Sequence, residues 1–185
     1  MIVSLLLTVM ASQAASPGTP QAPAWSQVAQ ATRTYEREPS CQHADALIAL
    51  IPNRELAIPE RPGPEVVGLL YGQLTLIQAQ LLLGDACAAR LGFRLSRVAD
   101  AAFGEDLAAA LGSLATTRPE LFLRELARSE LSCQAITAYS ANYSLSEARN
   151  ERALRLQRLR EVRVPAALQP VRRQCLRALE GSTAP

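Results

Sequence analysis

An all-α, disulfide-stapled fold of about eight helices is what this sequence predicts, on three observations. Ala, Leu, Arg, Gln and Glu dominate beyond residue 24, and all are good helix formers. Apolar residues recur at spacings of three and four between proline and glycine breaks, the mark of amphipathic helices. No stretch shows the sustained apolar/polar alternation, rich in β-branched residues, that marks strands. An irregular bundle is the first packing this suggests. A HEAT-like solenoid is the alternative, because the cysteine intervals of 46, 46 and 42 residues match two-helix repeats of about 40–47 residues.

The punctuation gives the elements in order. A first helix spans 24–38 and ends at Pro39. Ser40 caps a second, with Ala44, Leu47, Ile48 and Ile51 on one face and a stop at Pro52. Residues 52–64 hold four prolines and a glycine and read as a loop. Pro64 and Glu65 open a long apolar helix that ends at Gly84. It carries Tyr71, Gly72, Gln73, Thr75, Gln78 and Gln80, so a buried core helix is expected rather than a membrane span. Asp85 caps a helix carrying Cys87, Leu91, Leu95 and Val98. A break is expected near Phe103–Gly104, then a segment 105–114. Thr117 and Glu120 read as a capping box around Pro119, opening a helix with Leu121, Phe122 and Leu126. Another helix is expected over 130–143. Ser144 and Glu147 form a second capping box and open a helix to Arg163. Pro165 and Pro170 precede a last segment ending near Glu180.

The chain divides into a signal peptide (1–14), a flexible leader (15–23), one helical domain (24–181) and a short tail (182–185). Ile2–Met10 is an apolar run of nine residues, with Ser12 and Ala14 at the −3 and −1 positions of a cleavage site. A membrane span needs about 20 residues, so the run reads as a signal core. The expected location is therefore periplasmic or secreted, where disulfides persist. Cys41, Cys87, Cys133 and Cys175 are even in number and contain no CxxC pair, which favours disulfides over a metal site. Of three connectivities, Cys41–Cys87 with Cys133–Cys175 is favoured, since each ties helices adjacent in sequence.

Several chemistries are poorly supplied. All 19 basic residues are arginine, and His43 is the lone histidine. Lysine chemistry and two-histidine catalysis are excluded by count, and any triad would rest on His43 alone. Phosphate-loop and dinucleotide motifs are absent. No catalytic residue, metal ligand, cofactor or nucleotide is assigned, and nucleic acid is disfavoured by the lack of aromatics interleaved with the basic residues. A carboxylate-dependent hydrolase or lyase acting on cell-wall glycan stays as the alternative.

Charge asymmetry is the strongest remaining signal. Residues 149–185 carry nine arginines against three glutamates, a net +6, while residues 1–148 sum to −4. Such a basic face suits an anionic partner. The expectation is a non-enzymatic module that binds another exported or envelope protein, such as an inhibitor, immunity or assembly factor. Its contacts would be Arg149, Arg152, Arg155, Arg158 and Arg163, with Arg54 and Arg61 of the 52–64 loop second. Anionic lipid is the other partner this face could take.

Overall fold

The structure is a computed structural model that describes residues 25–51, 63–99, 101–140 and 144–181. The signal and leader assignments, the tail, and residues 52–62 with Arg54 and Arg61 lie outside the described residues. Within them the elements are α1 Trp25–Arg37, α2 Cys41–Leu50, α3 Pro64–Leu83, α4 Ala86–Leu95, α5 Ala101–Thr117, α6 Pro119–Ser129, α7 Cys133–Thr137, α8 Leu145–Glu161 and α9 Gln169–Gly181. A 3₁₀ turn, Ala166–Leu168, precedes α9, and no strand occurs among the described residues.

Local chemistry accounts for most boundaries. Ser40 accepts from the His43 N–H at the start of α2, Ser132 from Ala135 at the start of α7, and Ser144 from Glu147 at the start of α8. Asp85 accepts from the Cys87 and Ala88 amides at 2.7 and 2.9 Å. Gly84 closes α3 with φ +78, and a Cβ there would also meet Arg118 Nε at 2.8 Å. The positive φ is what requires glycine at that position.

Three boundaries depart from expectation. No break occurs at Phe103–Gly104, because α5 runs unbroken from Ala101 to Thr117. Phe103 is buried there, its ring 4.9 Å from that of Tyr71, and this packing overrides the glycine. Thr117 does not cap α6; it ends α5 with its hydroxyl on Ser113 O, while Arg118 takes the cap position and Pro119 the first turn. Of the helix expected over 130–143, residues 141–143 lie outside the described residues, and among the rest only the five residues of α7 are helical. Glu130, at φ 59, closes α6 instead of opening the next helix.

Two rows of helices build the first two-thirds of the fold. α1, α3 and α5 pack successively in one row, and α2, α4 and α6 in the other. α5 also packs on α7 and α8, and α9 packs on α6, α7 and α8. The core is aliphatic, with Leu47, Ile77, Leu91, Leu107, Leu111, Leu114 and Leu159 fully buried. Phe93 and Phe122 add one ring pair at 6.0 Å.

Cys41 bonds Cys87 and Cys133 bonds Cys175, with Cα separations of 5.2 and 5.1 Å. The first bond ties α2 to α4 and the second α7 to α9, so each half of the fold carries one staple. Replacing Cys41 and Cys87 by alanine is expected to lower stability by about 4 kcal/mol, the loop-closure value for a closed loop of 46 residues. Urea titration of the oxidised wild type against the variant measures it.

Tyr35, at the end of α1, is buried and donates its hydroxyl proton to Gln80 Oε1 on α3. Burial, with Asp85 adding to it, pushes its pKa up from 10.0 to about 12. Above pH 10 the unfolded chain loses this proton while the folded chain keeps it. Stability is therefore expected to fall as pH rises from 10 to about 12 and to level off beyond. The part of that slope missing from Tyr35→Phe in urea titrations across this range measures the contribution of Tyr35.

Candidate functional site

The arginines of α8 divide between the interior and the surface. Arg155 is 1 % exposed. Its Nη1 donates to Thr137 O at 3.1 Å and to Tyr139 O at 2.9 Å, and its Nη2 donates to the Glu151 carboxylate. The backbone of α5 lies directly against it: a Cβ on Gly112 would sit 2.8 Å from Nη2. The expectation that Arg155 meets a partner is thus corrected, for its charge joins α8 to the end of α7 inside the protein. Burial lowers its pKa, and the charge and hydrogen bond of Glu151 oppose that.

Arg152 is also turned inward. Its Nε donates to Leu179 O at 2.8 Å and so fastens α8 to α9. Arg172 returns the contact, donating to Leu159 O at 2.7 Å and Arg160 O at 2.5 Å. Arg160 pairs with Glu180 at 2.7 Å, and Arg158 faces Glu161 at 3.6 Å. These pairs are solvent-exposed and contribute little stability. Of the predicted contacts, Arg149 and Arg158 on this helix and Arg163 just beyond it are exposed. Periodicity could not separate these roles, because arginines surround most of α8.

Arg149 and Arg152 line a small cleft of about 120 Å³ with Thr137, Tyr139, Ser140 and Leu145. Tyr139 and Ser140 also line a wider cleft of about 510 Å³, with Gln78, Leu82, Glu105, Asp106 and Ser113. Because Tyr139 and Ser140 line both, the two clefts are taken together as one groove. Arginine lies at one end and the exposed carboxylates of Glu105 and Asp106 at the other. Leu82, Tyr139 and Leu145 along it are 71 %, 39 % and 70 % exposed. Sequence reading missed this groove because its lining comes from α3, α5, α7, α8 and the turn after α7.

α3 contributes to the groove in an unexpected way. It is long and apolar enough to cross a membrane by length and composition, yet only 28 % of that window is buried. The core stripe is Val66, Leu70, Gln73, Ile77 and Leu81, so the expected buried core helix turns one face to the core. A third cleft, of about 150 Å³, lies between α4 and α6 and is lined by Arg90, Arg94, Arg97, Arg128 and the buried Glu125.

The remaining candidate groups have structural positions. His43 Nδ1 lies 2.7 Å from Glu38 O, so the ring caps the backbone between α1 and α2. Cys41, Cys87 and Asp85 place potential ligand atoms within 4.8 Å of one another, but both sulfurs are held in the disulfide and supply no thiolate. No protein-family model, curated protein or solved structure matches the chain.

Arg155→Met is expected to destabilise the protein by about 3–5 kcal/mol, since it takes the cation away from the largely buried Glu151 carboxylate and the donor away from the Thr137 and Tyr139 carbonyls. Glu151→Met in the same chain should recover part of that loss. Thermal or urea unfolding of the two single variants and the double variant gives the coupling.

Proposed function

We propose that this is an exported, non-enzymatic helical module that binds a segment of another envelope or secreted protein in the groove between Arg149 and Glu105. The reading is carried by one observation. Three of the five large exposed hydrophobic side chains among the described residues, Leu82, Tyr139 and Leu145, line this groove. Exposed apolar side chains gathered in a concave, polar-rimmed surface mark interaction sites.

Charge defines the occupant. An amphipathic peptide segment suits the groove if an acidic residue meets Arg149 and a basic residue meets Glu105 and Asp106. Tyr139 offers a rigid aromatic anchor at the centre, the residue type in which binding energy concentrates. The two disulfides are compatible with an oxidising, extracellular compartment, which supports the periplasmic or secreted location. The rows α1–α3–α5 and α2–α4–α6 support the solenoid reading of the first six helices, with α7–α9 closing the array.

A glycan-cleaving carboxylate pair is the less supported alternative. Glu105 and Asp106 are exposed at the rim, whereas a catalytic acid of this class needs an enclosed, apolar setting.

Tyr139→Ala and Leu145→Asp are each expected to weaken partner binding at least tenfold, and Arg158→Ala to leave it unchanged. The oxidised chain, immobilised and exposed to a native envelope extract, supplies the partner by mass spectrometry. Titration of the purified partner against the three variants then gives the affinities. Loss of binding in Arg158→Ala with retention in Tyr139→Ala would move the interface to the outer face of α8. Turnover of cell-wall glycan abolished by Glu105→Gln would replace the binding reading with the enzymatic one.

A further inference from the structure

We propose that the Cys41–Cys87 disulfide is a thiol-exchange site, opened by an external dithiol, and that Cys133–Cys175 is a permanent staple. Cys41, Cys87 and the charged residues beside them lie outside the groove assigned to protein binding, so the inference does not depend on that assignment.

The two bonds differ in access. Cys133 and Cys175 are both 0 % exposed, so a thiol reaches their bond only when the fold opens. Cys41 is exposed, whereas its partner Cys87 is buried. Exchange begins when a thiolate attacks one sulfur of a disulfide and the other leaves as a thiolate. Access therefore makes Cys41 the attacked sulfur and Cys87 the leaving one.

The surroundings of Cys87 suit that departure. It lies in the first turn of α4, two residues after the cap Asp85, and Cys41 is the first residue of α2, after the cap Ser40. Amides at a helix start favour negative charge. Arg90, three residues on from Cys87, donates from Nη2 to Cys87 Sγ at 3.8 Å. Its Nη1 is held by Asp45 of α2 at 2.7 Å, which keeps the other arm of the fork on the sulfur. A helix start and a neighbouring guanidinium both favour the thiolate, and a sulfur that leaves more readily exchanges faster. Asp85 is the opposing charge, with a carboxylate oxygen within 4.8 Å of both sulfurs. That carboxylate is engaged by the Cys87 and Ala88 amides. Cys175, by contrast, lies in the middle of α9.

The exchange balances in two steps. One thiolate of the dithiol bonds to Cys41 Sγ, the bond between Cys41 and Cys87 breaks, and Cys87 leaves with the electron pair. The second thiol, giving up its proton, attacks the mixed disulfide and releases Cys41. The dithiol departs oxidised by two electrons, and Cys41 and Cys87 are left reduced. The tie between α2 and α4 is then open, while that between α7 and α9 stays closed.

Timed reduction of the native, oxidised full chain with dithiothreitol, quenched by alkylation and mapped by peptide mass spectrometry, tests the site. Cys41 and Cys87 should be alkylated at least tenfold faster than Cys133 and Cys175. With glutathione, a monothiol, the trapped mixed disulfide should sit on Cys41 and the alkyl group on Cys87. Arg90→Gln should slow the opening at least threefold, because it removes the charge beside the leaving sulfur. Asp45→Asn breaks the same ion pair but keeps that charge, and should not slow the opening. If Arg90 served only to hold α2 against α4, its loss would speed reduction, so the sign of the change separates the two roles. One common rate for both bonds, rising with urea as global unfolding does, would overturn the proposal. So would glutathione on Cys87, an Arg90→Gln variant that opens as fast as the wild type or faster, or equal slowing in Asp45→Asn.

Discussion

The buried guanidinium of Arg155 is the constraint around which the C-terminal half is arranged. A charged side chain cannot leave water without compensation, and it finds that compensation only if three elements meet. The carbonyls of Thr137 and Tyr139 at the end of α7 supply two acceptors, and Glu151, one turn earlier on α8, supplies the carboxylate. The guanidinium then lies flat against Gly112, where any larger residue would displace it. Because its hydrogen bonds pin it, the side chain has little freedom to yield, and α5, α7 and α8 are fixed relative to one another. The groove depends on this arrangement, since Tyr139 is held through its own carbonyl.

Two other arginines act in the same way at lower cost. Arg152 and Arg172 each donate to backbone carbonyls across the α8–α9 contact. Carbonyls near the end of a helix lack intrahelical partners, and Leu159, Arg160 and Leu179 are in that position. The basic C-terminal segment is therefore to a large extent an internal fastening of two helices with little apolar surface between them. α8 has Arg155 and Leu159 as its buried residues, and α9 has Cys175 and Leu179. Arginine donors and the Cys133–Cys175 bond replace the packing that a richer apolar seam would provide.

This explains how much of the protein was legible beforehand. Caps and breakers act locally, so Ser40, Asp85, Ser144, Pro39 and Gly84 fixed their helix ends in the sequence itself. The disulfide pairing is the expected one, although each bond joins helices two apart, α2 to α4 and α7 to α9, and not neighbours in the sequence. Burial is a tertiary property, and neither Phe103 overriding Gly104 nor the inward turn of Arg155 leaves a local mark. The same holds for the candidate groove, whose residues come from α3, α5, α7, α8 and α9, so no contiguous stretch announces it.

Segregation of charge in space is a different quantity from segregation along the chain. The C-terminal surplus is partly neutralised where it stands, by Glu151, Glu161 and Glu180 and by backbone carbonyls. The first 148 residues are net acidic, yet within them Arg90, Arg94, Arg97 and Arg128 line one cleft with Glu125. An electrostatic field that attracts a ligand arises from the charge left over at one place after pairing. By that measure the end of α8 near Arg149 is basic chiefly in contrast with Glu105 and Asp106 across the groove. Net charge per segment passes over this, whereas pairing each guanidinium with its acceptors first shows which of them are committed to the fold.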